Sequence, residues 1–211
     1  MNTPKQSTEL RQASLVAAAL ALAAVRSPAE VTTAALAQAV GITQGAVFRH
    51  FESKEAIWLA VIDFAHQDLL ARLHAAAAAQ VQPLAALRAV FMAHVDFVVE
   101  QPGVPRVIFQ ELQHPEDTPL KARVRRLMQA YRTLLTGLLQ RAQAAQLLAT
   151  GTDLQAAAVL FIGSVQGLVM QSLLSGQVGA MRSLAPAVFD LFQQAIAAPP
   201  TRARRTQETT P

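Results

Sequence analysis

A chain of 211 residues holds one compact domain with a large core, or a small domain built onto a larger one, and excludes a three-domain architecture. Hydrophobic residues at 52% against 15% charged exclude intrinsic disorder, and 5% aromatics with abundant alanine point to an all-α protein. Without cysteine there are no disulfides, thiol nucleophiles or thiolate metal sites, in keeping with the reducing cytoplasm, and a net charge of +4 leaves nucleic-acid binding to local clusters of basic groups.

Ser7 or Thr8 is expected to cap a first helix that runs to about Val25 and stops at Ser27-Pro28. Its apolar run, Leu15 to Val25, follows Lys5 and Arg11 and imitates a secretory leader, with Ala21 and Ala23 resembling a cleavage site. Glu9 in the would-be basic region and Arg26 directly after the run favour a core helix instead. No apolar run is expected to reach the roughly 18 residues that span a bilayer, because Arg26 closes this one and Gln166 interrupts Ala156 to Met170. The reading is therefore a cytoplasmic protein with no membrane partner.

Short helices follow from Thr32-Thr33 to Gly41 and from Thr43 to about Arg49, then a long one from Ser53-Lys54 into the alanine run at Ala75 to Ala79. Pro83 opens a fifth helix to about Glu100, Pro105 a short sixth to about Gln113, and Thr118-Pro119 a seventh to about Gln146. In the seventh, Val124, Leu127, Met128, Tyr131, Leu134, Leu135 and Leu138 form one apolar stripe, flanked by Lys121, Arg125 and Arg132 on one side and by Arg123, Arg126 and Arg141 on the other. Those charges read as a solvated face. Thr152 to Gln155 matches a capping box for an eighth helix to Ser175, and Ser183 is expected to cap a ninth, with Pro186 in its first turn, to about Ala197. The segment 199–211, with Arg202, Arg204 and Arg205, reads as a disordered tail.

Residues 32–55, TTAALAQAVGITQGAVFRHFESKE, carry the chemistry. Two short helices around a Gly-containing turn form a helix-turn-helix, with Ala37 small at the crossing and Ile42 and Val47 facing inward. The second helix would enter the major groove with Thr43, Gln44 and Gly45 first. Gln pairs bidentately with adenine, Thr bonds or touches a methyl, and Gly lets the backbone approach. Arg49, His50 and Lys54 supply phosphate-binding groups along one edge.

This stretch resembles the TetR-type (tetracycline-repressor-like) bacterial transcriptional regulators. The likeness rests on Thr32-Thr33, Leu36-Ala37, Gly41-Ile42, Gly45, Val47-Phe48, His50-Phe51, Ser53-Lys54-Glu55 and Ile57, after an alanine-rich helix of suitable length. It implies about nine helices. Residues 1–52 would form the DNA-binding domain and 53–198 a ligand-binding and dimerisation domain, with the last two helices, Ala156 to Leu174 and Leu184 to Ile196, pairing in a homodimer. It also implies DNA-facing roles for Thr33, Thr43, Gln44, Gly45, Phe48, Arg49, His50 and Lys54. The family usually carries Tyr where Phe48 stands, so a phosphate-bonding hydroxyl is missing, and Ala34 and Ala46 replace frequent polar contacts. Binding would then lean on Arg49, Lys54 and the helix N-terminus.

No Ser/His/Asp order, phosphate loop or paired catalytic carboxylates accompany a strand, so the expectation is a binding protein and not an enzyme. Glu111 and His114 share the spacing of a helical metal pair, but only one copy exists, and neither a metal nor a cofactor is expected. A cavity among the C-terminal helices would be lined by Phe91, His94, Phe97, Val98, Phe109, Leu112, Gln113, Tyr131, Phe161, Gln166 and Met170, bulky apolar groups with a few polar ones. The resulting expectation is a homodimeric repressor on a roughly palindromic double-stranded operator, released by a small apolar effector. The alternative is an effector-independent architectural or spatial-marking DNA-binding dimer.

Overall fold

Alanine and leucine at helical spacing make α1 (Thr8–Val25), which buries Leu15, Val16, Ala19, Leu20 and Ala23 along one face. The computed structural model describes residues 8–198; the proposed cap Ser7 and the basic tail from 199 lie outside them. Ser27-Pro28 ends α1 as expected, and Pro28–Glu30 adds one 3-10 turn. Thr32 caps α2 (Thr33–Ala39) by accepting from Ala35 N–H, and Thr43 caps α3 (Gln44–Val47) by accepting from Ala46 N–H. Between them Gly41 takes φ +68°, and Ile42 N–H donates to Ala37 carbonyl at 2.9 Å, a left-handed helix stop that only glycine adopts without strain. Regular α geometry in α3 ends at Val47, two residues earlier than expected. Arg49 and His50 donate to Ala46 and Val47 instead, tightening the last turn.

Ser53 caps α4 (Lys54–Ala78), which runs from this unit into a bundle of α5 (Pro83–Glu100), α6 (Gly103–Glu111), α7 (Pro119–Ala144), α8 (Leu154–Ser175) and α9 (Met181–Ile196). The described residues thus form nine α-helices with no sheet; one isolated bridge, Leu148 to Ala197, ties the α7–α8 loop to the end of α9. The protein is all-α.

Several termini differ from expectation. Asp153, not Thr152, caps α8, its Oδ1 accepting from Gln155 and Ala156 N–H, while Thr152 donates its hydroxyl to Ala149 carbonyl. A 3-10 turn, Val178–Ala180, leads directly into α9, so Pro186 sits well inside that helix and Ser183 donates back to Ala180 carbonyl instead of capping. Pro105 is the third residue of α6, where a missing N–H still costs nothing. Two helices, α1 and α8, are in fact long and apolar enough to span a bilayer by length and composition. Each, however, buries one apolar face in this core.

At the centre of the bundle Phe91 meets Phe161 edge-on at 5.2 Å, and Phe161 meets Phe192 at 5.3 Å, with Tyr131 and Phe189 around them. Ion pairs cross the helices outside this core: Arg72 with Glu100, Arg88 with Asp190, Arg182 with Asp96, and Arg123 with Asp63, while Arg72 also pairs with Asp68 one turn away within α4. In the α6–α1 contact a Cβ on Gly103 would lie 2.3 Å from the Leu20 carbonyl oxygen, a backbone atom that cannot swing aside. Gly103→Ala is therefore expected to destabilise the protein by about 1–3 kcal/mol. An unchanged urea midpoint would show that α1 and α6 separate freely.

Candidate nucleic-acid interface and ligand cavity

The two capped helices and the Gly41 stop place one continuous exposed edge on the N-terminal unit. Thr43, Gln44, Gly45, Phe48 and Arg49 are exposed, while Thr33, His50 and Lys54 are half-buried beside them. Val47 and Phe51 are buried beneath, so the two phenylalanines of this segment face opposite ways, with Phe48 at 49% exposure outward. Gln44 Nε2 donates to Thr33 Oγ1 at 2.8 Å. That bond uses one of two amide N–H groups and leaves the other with Oε1, the donor and acceptor that a bidentate adenine contact requires. Gln12 Nε2 donates to the His50 carbonyl at 2.8 Å, holding α1 against the end of the recognition segment. His50 Nδ1 is buried with no hydrogen-bond partner among the described residues.

Lys54 Nζ donates to the Ala29 carbonyl at 3.0 Å, joining the start of α4 to the 3-10 turn. The same turn is held from the other side by Gln110 of α6, whose Oε1 accepts from Ser27 Oγ at 3.3 Å and Ala29 N–H at 3.0 Å. Sequence reasoning missed Gln110, because no local pattern marks a contact across more than 80 residues.

The opposite side of α6, with Val104, Pro105, Ile108, Phe109 and Leu112, walls a cavity of about 260 Å³. Leu69 of α4, His94, Phe97 and Val98 of α5, Val124, Leu127 and Met128 of α7, and Ile162, Gln166 and Val169 of α8 complete it. Of the expected lining, His94, Phe97, Val98, Phe109, Leu112 and Gln166 are brought together here. Phe91 and Phe161 are not, because they fill the aromatic core instead. Tyr131 is fully buried and reaches the cavity only through His94, Gln113 is exposed after α6, and Met170 points outward on α8 at 44% exposure. Lys121, Arg125 and Arg132 also line the cavity, correcting the expectation that the charges beside the α7 stripe merely meet solvent.

His94 Nδ1 and Tyr131 Oη lie 3.1 Å apart. Burial pushes the His94 imidazolium down to about 4 and holds the Tyr131 phenol well above its usual range, so both are neutral at pH 7. With no other partner for the phenol among the described residues, its O–H donates to Nδ1, and Nε2–H remains as a donor on a cavity-lining residue. Glu111 accepts a bond from Thr118 Oγ1, and among the described residues no group of three or more His, Asp or Glu could hold a metal.

Away from the cavity α8 carries Val159, Leu160, Met170 and Leu174 exposed in one row, with Gly163 and Gly167 between them, and α9 adds exposed Leu184 and Leu191. Six exposed large apolar side chains on two neighbouring helices make a patch of the kind that mates with protein.

The N-terminal geometry is that of a helix-turn-helix regulator. Residues 15–61 match the family described as bacterial regulatory proteins, tetR family, and residues 83–188 match the tetracyclin repressor-like C-terminal domain. The chain belongs to the TetR family of DNA-binding regulators. A nucleoid occlusion factor, SlmA of Actinobacillus pleuropneumoniae serotype 5b (strain L20), is 29% identical over 138 residues, which cover 65% of this chain and 68% of that protein. The transcriptional regulator FadR from Bacillus subtilis, solved in complex with stearoyl-CoA, has the same fold, with a TM-score of 0.76, 17% identity and coverage of 87% of this chain and 98% of that one. So does the ketosteroid transcriptional regulator KstR2 of Mycobacterium tuberculosis, with a TM-score of 0.73, 17% identity and coverage of 94% and 98%.

Proposed function

We propose that this protein is a cytoplasmic, homodimeric, sequence-specific repressor that leaves its operator when a small, predominantly apolar molecule enters the cavity. The observation that carries the reading is the double role of α6. One side walls the cavity, and Gln110 on the other holds the turn whose Ala29 carbonyl receives Lys54. A ligand that displaces α6 moves the seat of the DNA-binding unit. Only unequal affinity for the bound and released spacings of the recognition helices converts that motion into release. The apolar chain of stearoyl-CoA bound by FadR supports a ligand of this kind.

In this reading residues 1–52 are the DNA-binding unit, residues 53–198 bind ligand and partner subunit, and the apolar rows of α8 and α9 pair across the dimer axis. Gln44, Thr43 and Gly45 meet base edges, and Thr33, Phe48, Arg49, His50 and Lys54 meet the backbone. The protein binds and releases; it performs no chemistry. Binding-site selection from random duplexes should return two half-sites about one helical turn, or a multiple, apart. Gln44→Ala should relax preference at one position per half-site and weaken the selected operator by about 1–3 kcal/mol, as read by gel shift. Equal weakening on random duplex would reassign Gln44 to backbone contact.

The likeness to SlmA favours a second reading, a DNA-bound spatial marker that needs no effector. Thermal-shift screening separates the two. Compounds that stabilise the protein and weaken operator binding support the repressor, and a library in which none does either supports the marker.

A further inference from the structure

The cavity has a charged lip with no acid of its own. Lys121, Arg125 and Arg132 line it, and no carboxylate does. Arg125 is already matched, holding Asp117 through two bonds of 2.6 and 3.0 Å and keeping that carboxyl below its usual range, with a smaller pull from the Lys121 charge. Lys121 itself is held by main-chain acceptors, the carbonyls of His114 and Glu116, and forms no ion pair among the described residues. Arg132 has no ion pair among the described residues; its single bond runs from Nε to the Met128 carbonyl at 3.4 Å and leaves the terminal guanidinium nitrogens free. Among the described residues two cations without an ion-pair partner therefore stand at the edge of a space that is apolar apart from His94 and Gln166.

That edge also opens outward. Arg125 and Arg132 border a second, more exposed depression along α7, where Gln129, Thr136, Gln140 and, from the start of α8, Gln155 supply amides and a hydroxyl. The interior holds about 260 Å³. Taking the ~30 Å³ of a water molecule for each methylene, it accommodates roughly eight or nine of them.

We propose that the effector is an anionic amphiphile, with an aliphatic body of about eight or nine methylenes under α6 and a carboxylate or phosphate head held by Arg132 and Lys121 at the mouth. This deepens the repressor reading and rests on it for the consequence of binding. Guanidinium and ammonium groups recognise either head by charge-assisted hydrogen bonds, and Arg132 offers a fork suited to two oxygens. The depression beyond the mouth, rich in amides, has room for a head larger than a carboxylate.

The test uses the full-length protein and four probes: decanoate, decyl phosphate and 1-decanol, each below its micellar concentration, and acetate as a head without a body. Isothermal titration should show decanoate or decyl phosphate binding at least about tenfold more tightly than 1-decanol, with acetate undetected. Whichever of the two is tighter identifies the head. Arg132→Gln should bring the anion down to the affinity of the alcohol without changing the alcohol, and Arg132→Lys should retain most of the preference. Circular dichroism melts would confirm that these exposed substitutions leave the fold intact. Equal affinities for anion and alcohol, a preference that survives in both Arg132→Gln and Lys121→Gln, or no binding by either anion would overturn the assignment. Operator release is read on the same samples. If the anion binds as described and the operator stays bound, the repressor reading fails and the ligand class stands.

Discussion

Phe161→Ala is expected to destabilise the protein by about 3–5 kcal/mol, more than the loss of any single contact on its surface. Phe161 is fully buried and edge-on to Phe91, Tyr131, Phe189 and Phe192, so one ring joins α5, α7, α8 and α9. Its loss removes those contacts and leaves a void that four helices cannot all close. Urea unfolding followed by fluorescence of the single tryptophan, Trp58, provides the measurement. Phe161→Leu, which keeps most of the volume, should cost much less. A loss below about 1 kcal/mol for the alanine variant would mean that Phe161 faces ligand space and not the core.

The second large effect is a pH dependence. His94 titrates at about 4 in the fold against 6.5 in the unfolded chain. Between these values the unfolded chain binds the extra proton and the native protein does not, so the stability that the neutral ring contributes is complete above 6.5 and drains away as the pH falls towards 4. The total is roughly 3 kcal/mol. Comparing urea midpoints of the wild type and His94→Gln from about pH 7 down to about pH 4 isolates it, because titration of surface carboxylates is common to both. Parallel curves would exclude His94 as the source.

Helix punctuation is legible in the sequence because it is local: Thr32, Thr43, Ser53 and Thr118 each bond an N–H three residues on, and Gly41 has the positive φ that its position demands. The exposed edge from Thr43 to Arg49 is legible for the same reason, as a property of two short helices and one turn. At α8 the capping-box pattern marks Thr152, yet Asp153 beside it is the cap, because the path of the chain decides which side chain aims at the helix.

The cavity lining is less legible. Periodicity says which positions face inward, not which of them meet a neighbour and which meet space. Phe91 and Phe97 are therefore alike in the sequence, yet only Phe97 lines the cavity. Met170 has no direction that hydrophobicity could reveal, because α8 is apolar nearly all round, with one side in the core and another unpartnered. Arg132 escapes a periodicity argument because a long side chain rooted beside an apolar stripe can turn its charged end back over it.

The two-sided role of α6 bears on how such a regulator diversifies. α8 contributes Ile162, Gln166 and Val169 to the cavity and packs on α5, α7 and α9, whereas α6 rests on α1 and binds the turn before α2. On the proposed repressor reading, substitutions at those α8 positions would change what is sensed without touching the contacts of α6 to α1 and the turn. On the same reading, those at Ile108 or Phe109 would alter sensing and grip together, and selection would accept or reject both at once. Duplicated copies of this gene would accordingly acquire new inducers first through α8, and a library aimed at a new inducer is best confined to that helix.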